Sequence, residues 1–366
     1  VPVDLPAGDA GDAAVLSSVQ AARHDGAAPL KAWPLACPAD RAPLVRQAEG
    51  LHCPSCGTSY PIVGGVPVLI DDQSSVFAVA DYVGGRSYGG VSYGQSTDGR
   101  QRMRSFWRRW MMWLRNAPSN IHHPGPEQAI RYVERLKSRP RTLVIGCGAV
   151  RVGGPDDDVV HTDVAFGPFT DAIADAHALP FPNGNFDLVV AVAVLEHVAD
   201  PQRCVSEMRR VLSPQGHVFA VTPFMQPVHM GAHDFTRFTP IGHRRLFRHF
   251  DEVAAGISTG MGSVLADVSL HALLALSAAP AWRRMAKAAA YLANPVLRKL
   301  DRWMPRAGDA PGGCWFFGRL RDGPPVSDRS LVQSYRQTFG LGLVALPDPV
   351  GASPRGAAIQ QPSRHA

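Results

Sequence analysis

Cys37-x-x-Asp40 and Cys53-x-x-Cys56, with twelve residues between them, set three thiols and one carboxylate in two knuckles. Such a donor set suits a tetrahedral zinc ion, and a metal can replace the core that about forty residues cannot build for themselves. Asp40 stands where a thiolate is usual, a harder ligand that weakens the grip on zinc. Without metal, the hairpin marked by Gly64-Gly65 between two apolar runs would have to hold the unit alone.

A second set begins at "VIGCG", where Gly146, Cys147 and Gly148 end an apolar run. Glycines there permit both a tight turn and close approach of backbone to a ligand. Asp163 closes "VVHTD", where an acid at the end of a second strand can accept hydrogen bonds from two ribose hydroxyls, and Asp175 is placed to reach an exocyclic amine. A third set, His229, His233, Asp234 and Arg237, falls in "TPFMQPVHMGAHDFTRFT". One of the histidines could serve as general base toward an acceptor hydroxyl. Four apart, the two would share a helix face and could bind metal, although Gly231 and Pro227 favour a loop. Asp234 and Arg237 read either as an ion pair that holds the loop or, in the sharper alternative, with Arg237 gripping an acceptor phosphate or carboxylate.

The elements that must position these residues alternate between helix and strand. Pro126 suits a first helical turn, and Ala129, Ile130, Val133 and Leu136 recur at helical spacing up to Pro140. A strand follows at 142–145, another at 186–194 that is apolar almost throughout, then a helix begun by Asp200-Pro201 and a strand at 217–222. Further strands are expected at 250–258 and 313–320, with a helical insertion over about 262–305 between them. The fold class is therefore α/β: a doubly wound, Rossmann-like sheet of seven strands, preceded by a small β-rich unit. The expected domains are a flexible leader over 1–30, a zinc-ribbon-like unit over 31–72, a linker with a basic aromatic helix over 73–125, the α/β domain over 126–322 and a flexible tail over 323–366.

With 366 residues, 45% of them hydrophobic, the chain can bury a full core. Eleven Lys or Arg residues between Arg100 and Arg141 face only Glu127 and Glu134, so this stretch could meet a phosphate, an acidic lipid surface or RNA, or simply be a solvated face. Six cysteines do not make a disulfide scaffold in a chain this long, which places it by expectation in the reducing cytoplasm. The apolar stretch 263–281 carries Asp267 and His271 and makes a poor membrane span. With "RMRSFWRRWMMWLR" it could cap a site or rest on the inner face of a membrane.

The run from Thr142 to Phe224, with "VIGCG", "HTD", "ADAHALPFPNGNFDLVVAVAVLEHVADP" and "EMRRVLSPQGHVFAVTPF", resembles a class I S-adenosylmethionine-dependent methyltransferase of the type 11 methyltransferase domain. The resemblance implies that Gly146, Cys147 and Gly148 lie against the methionine part of the cofactor, Asp163 at its ribose, Asp175 and Ala176 at its adenine, and that Leu195 and Glu196 flank it. It departs from the pattern at Val144, where an acid is common, and at Val150, where a third glycine is. The N-terminal stretch resembles the zinc-ribbon-like activator subunit of tRNA methyltransferases, down to its "YPI...GVPVLI" close. The expectation is methylation, by O-methyl transfer, of a small-molecule, sugar or lipid-linked glycan acceptor. RNA methylation, a non-catalytic scaffold motivated by Val144 and a nicotinamide-dependent oxidoreductase are the alternatives.

Overall fold

The computed structural model describes residues 33–48, 50–84, 114, 121, 123–304, 307–335 and 346–347. The leader, most of the basic aromatic helix and most of the tail named above lie outside them. Eleven described strands form one sheet in the order β1-β2-β3-β4-β7-β6-β5-β8-β9-β11-β10. Its centre comprises β5 (Thr142–Ile145), β6 (Val159–Asp163), β7 (Ala172–Ala174), β8 (Phe186–Val192) and β9 (Leu212–Pro223). These five run parallel, and β11 (Gly313–Leu320) and β10 (Phe250–Thr259) close one edge antiparallel.

The N-terminal unit does not stand apart from this sheet. After β1 (Val45–Gln47), β2 (Gly50–His52) and β3 (Ser59–Val63), β4 (Val66–Leu69) pairs in parallel with β7, Val68 against Ile173 and Leu69 against Ala174. The reason is legible in the strand itself. Val66, Val68 and Leu69 are buried, as a strand covered on both faces requires, and the ribbon supplies the edge that β7 would otherwise expose.

Helix α1 (Val79–Val83) follows β4, α2 (Pro126–Glu134) precedes β5, and α3 (Pro201–Val211) links β8 to β9. α2 buries Ala129, Ile130, Tyr132 and Val133 against the sheet face that also holds Val144, Val190 and Phe219. α3 starts where Asp200 accepts a hydrogen bond from the Arg203 N–H and buries Cys204, Val205, Met208 and Val211 on the opposite core. Strand β8 stops at Val192, two residues short of the expected 194, because Ala193 takes φ +54°, which turns the chain out of the pleat. Leu212 already pairs with Phe186, so "SPQG" is a bulge within β9 rather than a break before it. After α4 (Pro240–Leu246), the insertion between β10 and β11 forms α5 (Met261–Ala275) and α6 (Pro280–Lys299), and α7 (Asp328–Tyr335) follows β11. Val268 on α5 and Leu276 at its end are exposed. No described helix is long and apolar enough to cross a membrane.

Candidate active site at the carboxyl ends of the strands

Parallel pairing puts the ends of β5, β6, β7 and β8 on one side of the sheet, where loops can converge on a ligand. Gly146 and Gly148 take φ +66° and +56°, a region that side chains with a Cβ rarely enter. A Cβ on Gly146 would overlap the Cγ2 of Val194. The turn is tied to the neighbouring strand end, since the Cys147 N–H donates to the Thr162 carbonyl (3.1 Å) and the Gly148 N–H to Asp163 Oδ2 (2.7 Å). Asp163 Oδ1 accepts from the Ala165 N–H (2.9 Å). Burial pushes this carboxyl's pKa up, against those N–H groups. Each oxygen keeps a second acceptor site, which leaves room for two hydroxyl donors.

One strand further, Asp175 is buried and hydrogen-bonded at both oxygens, with one acceptor site left on Oδ2. Its Oδ1 accepts from His177 Nδ1 (2.6 Å) and the His177 N–H (2.9 Å), and its Oδ2 from the Ser75 hydroxyl (2.5 Å). Burial opposes ionisation here, but those hydrogen bonds outweigh it and hold the carboxyl below the usual range. His177 Nε2 in turn accepts from the Asp200 N–H (3.0 Å), which fixes the neutral tautomer with its proton on Nδ1. Ser75 belongs to the segment after β4, so the ribbon reaches the adenine-side acid named from sequence. Sequence reading missed Ser75 and His177; only the D-x-H spacing hinted at the second. Ala176 is buried beside them, and Val144 packs into the α2 core rather than the crevice.

At the end of β8, Leu195 is a core side chain and Glu196 is completely buried. Burial pushes the Glu196 carboxyl up to about 7. The Glu196 carbonyl accepts from the N–H groups of Phe235 (2.8 Å) and Thr236 (3.2 Å), which pins the acceptor-side loop to the strand end. In that loop Asp234 and Arg237 form the ion pair, with Arg237 also donating to the carbonyls of Thr236 and Pro227. Arg237 holds the Asp234 carboxyl at about 2. With its guanidinium so occupied, Arg237 is a brace rather than a grip on an acceptor anion. The two histidines share no helix face: residues 231–233 form a single 3-10 turn. His233 stacks on Phe77 at 6.0 Å, whereas His229 meets His197 edge to face at 4.7 Å. His197, adjacent to Glu196 in "LEHV", escaped the sequence reading. Of the four loop residues named from sequence, His229 alone lines a cleft of about 530 Å³ between residues 226–229 and the helices α5 and α6, whose walls include Asp267, Lys287, Tyr291 and Arg298.

In the ribbon the four expected ligands converge, with donor atoms of Cys37, Asp40, Cys53 and Cys56 all within 4.8 Å of one another. Cys37 Sγ lies 3.7 Å from Cys56 Sγ, and the Cys53 thiol 3.4 Å from Asp40 Oδ1. Burial raises the Cys37 thiol to about 11, while the Ala42 N–H and the Ser55 side chain hold Asp40 down at about 2. Two buried thiols and two exposed donors in one tetrahedral-sized cluster fit a zinc ion.

With this geometry in place, comparison with known proteins assigns both regions. Residues 158–220 match the methyltransferase domain family, and residues 35–65 match the Trm112p-like protein family. The chain thus carries a methyltransferase-type α/β domain with a Trm112p-like unit before it. A phosphatidylethanolamine N-methyltransferase of Cereibacter sphaeroides is 46% identical over 50 residues, 14% of this chain and 25% of that protein. The ubiquinone/menaquinone biosynthesis C-methyltransferase UbiE of Ralstonia pickettii is 40% identical over 50 residues, 14% of this chain and 21% of its own. The chain spans between 14 and 26% of the length of such curated relatives. Among solved structures, phosphoethanolamine N-methyltransferase 2 of Haemonchus contortus aligns at a TM-score of 0.35 and 15% identity, covering 64% of this chain and 61% of that one. The [4+2]-cyclase SpnF aligns at 0.33 and 18%, covering 66% and 100%.

Proposed function

We propose that this protein is an S-adenosylmethionine-dependent methyltransferase acting on a small-molecule, sugar or lipid-linked glycan hydroxyl. The observation that carries the reading is the convergence of the Gly146–Gly148 turn, Asp163 and Asp175 on adjacent strand ends; His229, which meets His197 beyond the end of β8, lines a cleft roofed by α5 and α6. The residues fit the cofactor. Asp163 retains acceptor capacity for the ribose hydroxyls, Asp175 and Ala176 lie where the adenine edge would be met, and the glycine turn offers backbone to the methionine part. With Val144 in the core, the ammonium group must be held by the turn and not by a strand acid. When bound, S-adenosylmethionine supplies an electrophilic methyl group on sulfur.

The chain's own residues then orient and desolvate the acceptor, since an in-line displacement needs alignment above all. His229 faces the cleft, and Asp234 and Arg237 hold its loop against the end of β8. Calorimetry with S-adenosylhomocysteine tests the reading: one binding site is expected in the wild type and none in Gly146→Ala. Absence of binding to the wild type overturns it. Tritiated methyl transferred into extract fractions then identifies the acceptor. Label in RNA, with binding that weakens steeply in salt, would move the acceptor from small molecule to nucleic acid. That second reading draws on the Trm112p-like match and on Lys287 and Arg298 in the cleft wall.

A further inference from the structure

Glu196 presents an unusual situation. Its side chain is completely buried, yet neither carboxylate oxygen has a hydrogen-bond partner among the described residues. A buried carboxyl without a partner is costly, and a cation held between it and a neighbouring acceptor would offset that cost. Beside it, His197 donates from Nδ1 to the His233 carbonyl (2.8 Å), which leaves a lone pair on Nε2 in the neutral ring. That nitrogen lies 3.8 Å from Glu196 Oε1. Two acceptors therefore confront each other across a gap wider than a hydrogen bond and narrow enough for one ion to touch both.

The third wall of the gap is His229. One donor atom from each of Glu196, His197 and His229 lies within 4.8 Å of the others. His229 Nδ1 lies 3.5 Å from Asp234 Oδ2 and 3.4 Å from a guanidinium nitrogen of Arg237, so the braced pair sets where the ring stands. The Arg237 guanidinium is paired with Asp234, and neither Glu196 oxygen accepts a hydrogen bond from it.

We propose that Glu196, His197 and His229 form a binding site for a divalent first-row cation of the Mn²⁺ type, open toward the cleft that His229 lines. Two imidazoles and one carboxylate suit such an ion and leave coordination positions free for oxygens of a ligand in the cleft. The site is distinct from the thiol cluster of the ribbon, whose soft donors select a different metal. An ion here would lower the pKa of a coordinated acceptor hydroxyl, which makes His229 a ligand rather than a general base. The cation site itself does not depend on the methyltransferase reading.

Electron paramagnetic resonance titration of the full chain with Mn²⁺ tests this, because the signal of the free ion disappears on binding and Mn²⁺ avoids thiolates. One equivalent is expected to bind to the wild type, and at least tenfold more weakly to Glu196→Gln. His229→Asn, at a half-exposed side chain that leaves the core intact, should show the same loss if Glu196→Gln fails to fold. Absence of Mn²⁺ binding to the wild type, or wild-type affinity in a folded variant, overturns the site. S-adenosylhomocysteine binding measured on the same samples separates the two assignments: its retention alongside a failed Mn²⁺ titration sinks only the cation, and the reverse sinks only the cofactor reading.

Discussion

The ribbon and the strand-end crevice meet polar demands in opposite ways. In the ribbon, Cys37, Asp40, Cys53 and Cys56 gather their donor atoms within 4.8 Å of one another, an arrangement a cation could join. In the crevice, Asp163 and Asp175 are satisfied by N–H and O–H groups of the fold before any ligand arrives. The first region has the donor set of a unit that a metal would hold together. The second is preorganised, with donors and acceptors fixed in advance so that binding orders little else. Between them runs β4, which carries the ribbon's fold into the sheet, and Ser75, which carries it to Asp175.

The strongest way to break this contrast is to remove a ribbon ligand. Cys53→Ser should lower zinc content, read by mass spectrometry of the purified protein, from about one equivalent to almost none, and destabilise by about 4 kcal/mol, roughly 10 °C in Tm. Unchanged metal and Tm would make the ribbon as self-sufficient as the crevice. Asp40→Cys, by restoring a soft donor, should instead tighten zinc against a chelator.

Gly146→Ala attacks the preorganised side. Its Cβ meets Val194 and its φ is left-handed, so a cost of about 3 kcal/mol and loss of S-adenosylhomocysteine binding are expected, with zinc content untouched. Chemical denaturation together with calorimetry reads both.

Acid tests the packing of the sheet that carries the crevice, at the end away from it. Burial holds the His217 imidazole down at about 4, where it packs against Tyr132 and Phe317. Between pH about 6.5 and 4 the unfolded chain binds a proton that the folded one refuses, so stability falls as pH falls through that window. The loss is at most about 3 kcal/mol from this residue. His217→Asn should flatten this limb of a stability-versus-pH series, and an unchanged slope would assign it elsewhere.

Smaller effects sharpen the account of the acids. Asp163→Asn turns an amide donor toward one of two N–H groups and should cost about 2 kcal/mol, with cofactor-analogue binding weakened about tenfold. Ser75→Ala removes only one donor to Asp175, worth about 1 kcal/mol. If it costs nothing, the Ser75 hydroxyl adds nothing to the coupling that β4 and the Arg41–Glu207 pair provide.

Much of the crevice was legible because its residues end strands. A run such as "TLVIGCG" declares an apolar strand and a permissive turn together, and parallel order then brings Asp163 and Asp175 to the same side. The loop that Gly231 and Pro227 favoured is what forms around His229 and His233, braced by Asp234 and Arg237, so their four-residue spacing gives no shared face. His197 and Ser75 went unseen for the complementary reason: nothing local distinguishes a histidine whose partner is a carbonyl 36 residues away, or a serine whose acceptor is 100 residues away.

By itself, then, the amino-acid order determined the α/β class, the glycine turn and its acids, and the four ribbon ligands, since each rests on short-range geometry: strand alternation, left-handed turns and knuckle spacing. Tertiary structure alone decided that the ribbon's last strand would extend the sheet, and that Glu196 would be buried without a partner between two histidines. Those outcomes depend on which edges and side chains are excluded from water once the chain has packed, a property of the assembled core and not of any stretch of sequence.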